Sequence, residues 1–376
     1  MTAGSVRKRR NGCGVFQKKG VNMINGKLWF GLASVVFGIG LSPLALAQTR
    51  TESDPKFEQV AKDFYPKAKQ EGALVVYSIW DVEHIRTILA AFTKRFPGIA
   101  TTYWQGTRSE IIARALTEFE GNQGSVDVVL SEGIPLVLRA AGAIEPYKTV
   151  QDNSLILHDP TIPVASLQVQ VLAYNTKKLK SAEIPKSWED VVNPKYKGAV
   201  ALDDPMRAGP LSSMLAGLKD YWKDDARWVK FIKGLKALNV PLHKSTSAMF
   251  RLLIAGEFSI AMPTLLHDVV HEKEIGSPVD FVKSAPPVVT AQQAGISAKA
   301  PHVNAGKLFA EWLISPEGQS AIDSVGRSPA RKGFKGRASM EVAWGGAVKP
   351  IPVVDKLFFE DPKKWLDTNV KPVWEN

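Results

Sequence analysis

The run YNTKKLKSAEIPKSWEDVVNPKYKGAVALDDP, from Tyr174 to Pro205, decides the fold. Before and into it, VQVLAYN (Val169 to Asn175) is an apolar, buried strand. Ser187 and Asp190 form an S-x-x-D box that opens a short helix, which stops before Pro194. Gly198 to Leu202 is a second strand, ending at Asp203, Asp204 and Pro205. Strand, capped helix and strand in so short a passage end in loops of the kind that face a ligand.

The same alternation extends in both directions. Upstream, a helical stretch (Phe57 to Gln70) leads into the strand ALVVYS, after which Ile85, Ile88, Leu89, Phe92 and Phe96 recur at helical spacing until Pro97-Gly98. TTYW is a strand, Ile111, Ile112, Ala115, Leu116 and Phe119 share one helix face, VDVVL is a strand, and a helix from Pro135 to Ala141 ends at Gly142. Downstream, GAVAL is followed by helices around Leu211 to Leu218, Asp225 to Leu235 and Ser247 to Ala255, then the strand SIAM. The Pro-rich Lys283 to Thr290 passage carries the chain back, so that helices at Val303 to Ile314 and Pro316 to Val325 rejoin the first series.

Two such series predict an α/β fold of two lobes, each a mostly parallel sheet flanked by helices, joined by a two-strand hinge where the chain crosses twice. The expected boundaries are a leader at 1–47, a first lobe at 48–168, a second at 169–288, and a return to the first at 289–376. A chain of 376 residues suits two lobes of ordinary size.

The leader carries Arg7, Lys8, Arg9, Arg10, Lys18, Lys19 and Lys27 ahead of an apolar run from Leu28 to about Leu46. Ala45-Leu46-Ala47 closes it, which predicts a secretory signal peptide cleaved between Ala47 and Gln48. A retained anchor is the alternative, and a leader of ordinary length would begin at Met23. Of 48 Lys and Arg, these seven precede Gln48, leaving 41 against 37 acidic residues, a charge of only +4. That removes the support for a nucleic-acid partner and leaves a slight preference for an anionic ligand. The single cysteine, Cys13, lies in the leader, so no disulfide, Cys-ligated metal or lipid anchor is expected of the exported chain. It reads as a freely soluble, monomeric periplasmic protein.

In an open α/β sheet, ligands bind beyond the carboxyl ends of strands, near helix N-termini. That rule selects Tyr77, Ser78 and Trp80 after the first strand, Thr107 and Arg108 after the second, and Ser131 and Glu132 after the third. In the second series it selects Asp204 and Arg207, Ser245 and Thr246, and Thr264. Thr107 and Glu110 form a capping box; Arg108 and Arg207 suit a carboxylate or phosphate in fork geometry; Tyr77 and Trp80 suit stacking. The duller readings are capping, turn formation and core packing. His267 and His271, four apart on a helix, have the spacing to share a metal, but no H-E-x-x-H and no third ligand accompany them. There is no G-x-S-x-G, P-loop, G-x-G-x-x-G or cysteine nucleophile in the exported chain, so neither an enzyme nor a cofactor is expected.

Three runs together resemble one family: Tyr174 to Pro205; Gly72 to Tyr147, with GALVVYSIW, FTKRFPGI, G-T-R-S, SVDVVLSEG and AGAIEPY; and FAEWLISPEGQSAIDSVGRSPAR, Phe309 to Arg331. The family is the iron-type branch of the family 1 extracellular solute-binding proteins, type II periplasmic binding proteins of ABC importers. The resemblance implies a receptor that closes on one solute and docks on an inner-membrane permease, or reports to a periplasmic sensor. Ferric-binding members carry adjacent tyrosines after the strand that here reads SIAM; this chain has Thr264-Leu265-Leu266 there. The departure argues against direct ferric binding and favours a small organic anion, a carboxylate or phosphonate. A cation of the thiamine or polyamine type, held by Glu132, Asp203 and Asp204, and chelated iron are the alternatives.

Overall fold

A computed structural model of the chain describes residues 54–375; the leader and its cleavage site lie outside the described residues. Local signals set the element ends. Asp54 caps the first helix, Pro55–Glu71, by accepting from the Lys56 N–H, and Pro55 sits in the first turn, where its missing N–H costs nothing. Gly72, at φ +75°, takes the left-handed position that ends the helix. In the deciding run, Asp190 N–H donates to Ser187 Oγ and Ser187 N–H to Asp190 Oδ2, both at 3.2 Å. The box is complete, and the turn it opens is the 3-10 helix Glu189–Val192.

The described strands form one twelve-stranded sheet. Its main path runs Ala100–Gln105, Ala73–Ser78, Val128–Glu132, Val288–Ser297, Val164–Asn175, Ile260–Leu265, Val200–Asp203, Leu242–His243. The three strands at either end pair in parallel, as crossover helices require. The sheet's mixed character comes from the centre, where the two long strands pair antiparallel with each other and with their outer neighbours.

Those two strands belong to both arms. They pair with each other across Val288 to Gln293; beyond that stretch residues 170–174 turn to 260–265, and residues 292–296 to 128–132. A register shift at Val171/Ala173 marks the pairing with one arm, and another at Gln292/Gln293 marks the shared stretch. The first crossing strand begins at Val164, earlier than the VQVLAYN pattern suggests, because Ser166 is accommodated inside it by donating to the Ser328 carbonyl at 2.9 Å.

Helices cover both faces of each arm. On the first arm, Leu74, Val76 and Leu130 pack with Ile85, Ile88 and Phe92 and with Phe309 and Trp312 of the return segment. The Phe92 ring meets those of Phe309 and Trp312 edge-on, centroids 5.1 and 5.5 Å away. Each such buried side chain contributes about 1.5 to 3 kcal/mol. The far end of the chain also ties in by polar contacts: the Glu71 carboxylate accepts from the N–H groups of Asn304 and Ala305, and Arg331 pairs with Asp54.

On the second arm, Val200, Leu202, Ile260 and Met262 pack with Met214, Trp228 and Ile232. Phe358, Phe359, Trp365 and Leu366 join that same core, Trp365 lying edge-on to Trp228 at 6.5 Å. The return segment therefore divides. Helices Val303–Ile314 and Pro316–Ser324 complete the first arm, whereas Lys356–Glu360 and Pro362–Asn369 cover the second.

Candidate functional site

The loop after Ala73–Ser78 is shaped by one hydroxyl. Ser78 Oγ donates to the Leu130 carbonyl at 2.8 Å and accepts from Trp80 N–H at 3.0 Å, turning the chain so that Trp80 passes beneath the cleft. Trp80 Nε1 then donates to Gln292 Oε1 on the second crossing strand at 2.9 Å. Over the indole lies Arg327, its Cζ 4.0 Å from the ring centroid, a cation–π contact. Arg327 reaches this place from the loop after Pro316–Ser324, where Gly326 at φ +77° makes the reversal.

Trp80, Asp81, His84, His267, Asp268 and Arg327 line a cavity of about 670 Å³ between the two arms. Arg327 Nε is enclosed without a hydrogen-bond partner, and Asp81 and Asp268 act on the guanidinium only through space. Burial lowers its pKa to about 10, against those two carboxylates, so it remains a cation at neutral pH. Burial, then Arg327 and His84, push His267 down to about 3; burial and Arg327 also lower His84. Both imidazoles are therefore neutral.

In each ring Nδ1 is enclosed without a partner, and Asp81 Oδ2, 3.8 Å from His84 Nδ1, is too distant to hydrogen-bond. A neutral imidazole has one donor and one acceptor nitrogen, and with Nδ1 sealed, Nε2 is the nitrogen that each ring leaves for a ligand. His267 Nε2 lies 3.5 Å from Asp268 Oδ1. Burial raises Asp268 to about 6, even though Arg327 opposes the shift. The cavity thus brings one unpaired cation and two neutral imidazoles together beside carboxylates, one of which is half-neutralised near pH 6.

A second chamber of about 210 Å³ adjoins the first, sharing Ile79 and Gln168 with it. Its polar groups are already engaged. Arg108 Nη1 donates to the Glu132 carbonyl at 3.1 Å and Nη2 to the Phe359 carbonyl at 2.9 Å. Burial lowers Arg108 and raises Glu132, each opposed by the other's charge. Ser131 is enclosed at the chamber wall.

The residues selected from sequence divide between these places and the scaffold. Trp80 lines the larger cavity, and Arg108, Ser131 and Glu132 line the smaller. Tyr77 is in the core, its hydroxyl donating to Glu118 at 2.9 Å and touching Ser125. Thr264 is enclosed and donates to the Val171 carbonyl. Thr107 and Ser245 cap helices: the Glu110 carboxylate accepts from Thr107 N–H at 2.7 Å, and Ser245 Oγ accepts from Ala248 N–H at 3.2 Å, with Thr246 the first helical residue. Asp204 closes a turn by accepting from Met206 N–H, and Arg207 pairs with Asp203 at 2.8 Å. At the start of Pro210–Trp222, Gly209 N–H goes to Ser212 Oγ, Pro210 has none, and Leu211 N–H faces Asp203 Oδ2 at 3.4 Å. The helix starts are therefore closed largely by their own side chains.

Arg327, His84 and Gln292 were not among the selected residues. The strand-end rule inspects one kind of loop, and Arg327 follows a helix on the return segment, inside the GRSPAR run that carries the family resemblance. His267 stood out as half of a histidine pair; both histidines line the cavity, where Arg327 also acts on His267.

Residues 83–320 match the model of the bacterial extracellular solute-binding proteins. A relative, the major ferric iron-binding protein of Neisseria meningitidis serogroup B, is 28% identical over 269 residues, 67% of this chain and 78% of that protein. Among solved structures, the Trichodesmium IdiA/FutA protein in complex with iron and citrate superposes with a TM-score of 0.67 at 19% identity, over 80% of this chain and 99% of that one. The periplasmic binding protein AfuA from Actinobacillus pleuropneumoniae, with exogenous fructose-6-phosphate bound, gives 0.59 at 19% identity, over 79% and 98%.

Proposed function

We propose that this chain, which belongs to the bacterial extracellular solute-binding proteins, is the periplasmic receptor of an ABC importer for a small organic anion. Members of that family bind solutes for transport and are not enzymes. One observation carries the ligand reading: Arg327, stacked on Trp80 and in no ion pair with a described carboxylate, meets the neutral imidazoles of His84 and His267 in one cavity. An anion would satisfy the guanidinium, which offers it fork geometry, and a neutral imidazole donates to it from the Nε2–H tautomer. AfuA, with its bound sugar phosphate, is a fold neighbour that holds an organic anion, which supports the class.

In this reading the lobes at 48–168 and 169–288 close about the two crossing strands, and the anion, bridging Arg327 and His267, favours the closed state. Residues 289 onward complete the first lobe, with the C-terminal helices assigned to the second on their packing. The receptor is exported by the leader, acts as a monomer and delivers to an inner-membrane permease. A ferric chelate of net negative charge is the second reading, favoured by the iron-binding relatives and compatible with the absence of tyrosine from the cavity lining.

The test is a thermal-shift screen of the chain from Gln48, unfolded and refolded to remove carried-over solute, against carboxylates, phosphonates, sugar phosphates, ferric citrate, polyamines and thiamine. Solute at a hundred times its dissociation constant stabilises by roughly 2.7 kcal/mol. An anion hit lost in Arg327→Gln is the expected result. Stabilisation by thiamine or polyamines alone would overturn the anion reading.

A further inference from the structure

The two chambers differ in chemistry, and the difference constrains the shape of the solute. Ile79, Phe358, Phe359, Pro210 and Pro362 give the smaller one a largely apolar lining. Its arginine is bound to two carbonyls, and at the neighbouring helix start the Gly209 and Leu211 N–H groups are engaged while Pro210 has none. The Glu132 carboxyl, within 3.5 Å of Gln292 Nε2, stands at the wall and offers an anionic group no counter-charge. The larger chamber holds the unpaired guanidinium. At the neck between them stand Ile79, which is 38% exposed, and Gln168, whose Oε1 accepts from Gln292 Nε2 at 3.3 Å.

We infer that the solute is an amphipathic anion, its charged head at Arg327 and a compact apolar tail in the chamber formed by Ile79, Pro210, Phe358 and Phe359. This rests on the anion reading above and adds the tail to it. Each methylene moved from water into such a chamber strengthens binding about fourfold, until the chamber is full.

The experiment is titration calorimetry of the refolded chain from Gln48 with two homologous series, straight-chain carboxylates from acetate to octanoate and alkylphosphonates from methyl to hexyl. The expected result is an affinity that climbs about fourfold per carbon and then levels off in at least one series. Ala208→Phe, placed on the exposed rim of the small chamber, should shrink the ratio between the longest and shortest members. If the shortest anions bind through Arg327 and lengthening brings no gain, the tail is refuted and the anion reading stands. A climb that Ala208→Phe leaves untouched also refutes this placement. If neither these anions nor those of the wider screen bind, the anion reading falls, and the tail with it.

Discussion

Arg108 and Arg327 both project from the first arm and do opposite things. Arg108 is tied to the carbonyls of Glu132 and Phe359, so it joins a first-arm loop to a helix anchored on the second arm. Arg327 has an indole beneath it and, among the described residues, no carboxylate in ion-pair contact. An arginine near a cleft says little until its hydrogen bonds are counted. One that is fully engaged holds the fold, and one that is desolvated and unpaired is held ready for a ligand.

The contrast is sharpest in a pair of substitutions. Arg327→Met should weaken anion binding at least thirtyfold, about 2 kcal/mol or more, while leaving the urea midpoint unchanged or raised. Arg108→Met should do the reverse, lowering stability by roughly 1.5 to 3 kcal/mol through two carbonyls left unpaired, with little change in head-group affinity. Calorimetry and urea denaturation on both proteins check this together; equal losses of binding would erase the distinction.

A smaller effect separates the cavities by pH. As pH falls from 7.5 through about 6, Asp268 gains a proton and Arg327 loses a competing negative charge, so anion affinity should rise roughly tenfold. Arg327, His271, Glu272 and His84 also act on Asp268. Asp268→Asn should flatten the profile. For stability the signs oppose. Asp268, raised above 3.8, stabilises the fold most at low pH, and that contribution is lost as pH rises through about 6. His267, depressed from 6.5 to about 3, contributes fully above 6.5 and loses its contribution as pH falls toward 3. Urea midpoints between pH 4 and 6 should therefore move less than either group alone dictates.

The smallest expected change is at Thr107. Thr107→Ala removes one half of a capping box on an exposed helix start and should cost about 1 kcal/mol in stability with no change in affinity. An affinity loss there would return the helix N-terminus to the binding site.

Much of the fold was legible because its signals are local. The Ser187/Asp190 and Thr107/Glu110 boxes, the Gly72 and Gly142 terminators and the spacing of Ile85, Ile88, Leu89 and Phe92 each act within a few residues. The site was less legible. Ser131, Thr107 and Arg207 have residue types suited to ligands, but the same chemistry closes turns and caps, and distant partners decide which use prevails. Arg327 escaped because its role depends on Trp80, more than two hundred residues earlier in the chain. The destination of the C-terminal helices turned on Trp365 meeting Trp228, a pairing no periodicity encodes.

The division of the chain between the arms also dictates an order of assembly. The core of the second arm draws largely on one continuous run, from the first crossing strand to Phe281, so its contacts close over short loops. The first arm must wait for Asn304, Phe309 and Arg331 to reach Glu71, Phe92 and Asp54. Contacts of such sequence separation form late. A chain that lengthens from its N-terminus therefore reaches the end of its first arm with that arm unable to finish folding, which leaves the inserted arm to set first.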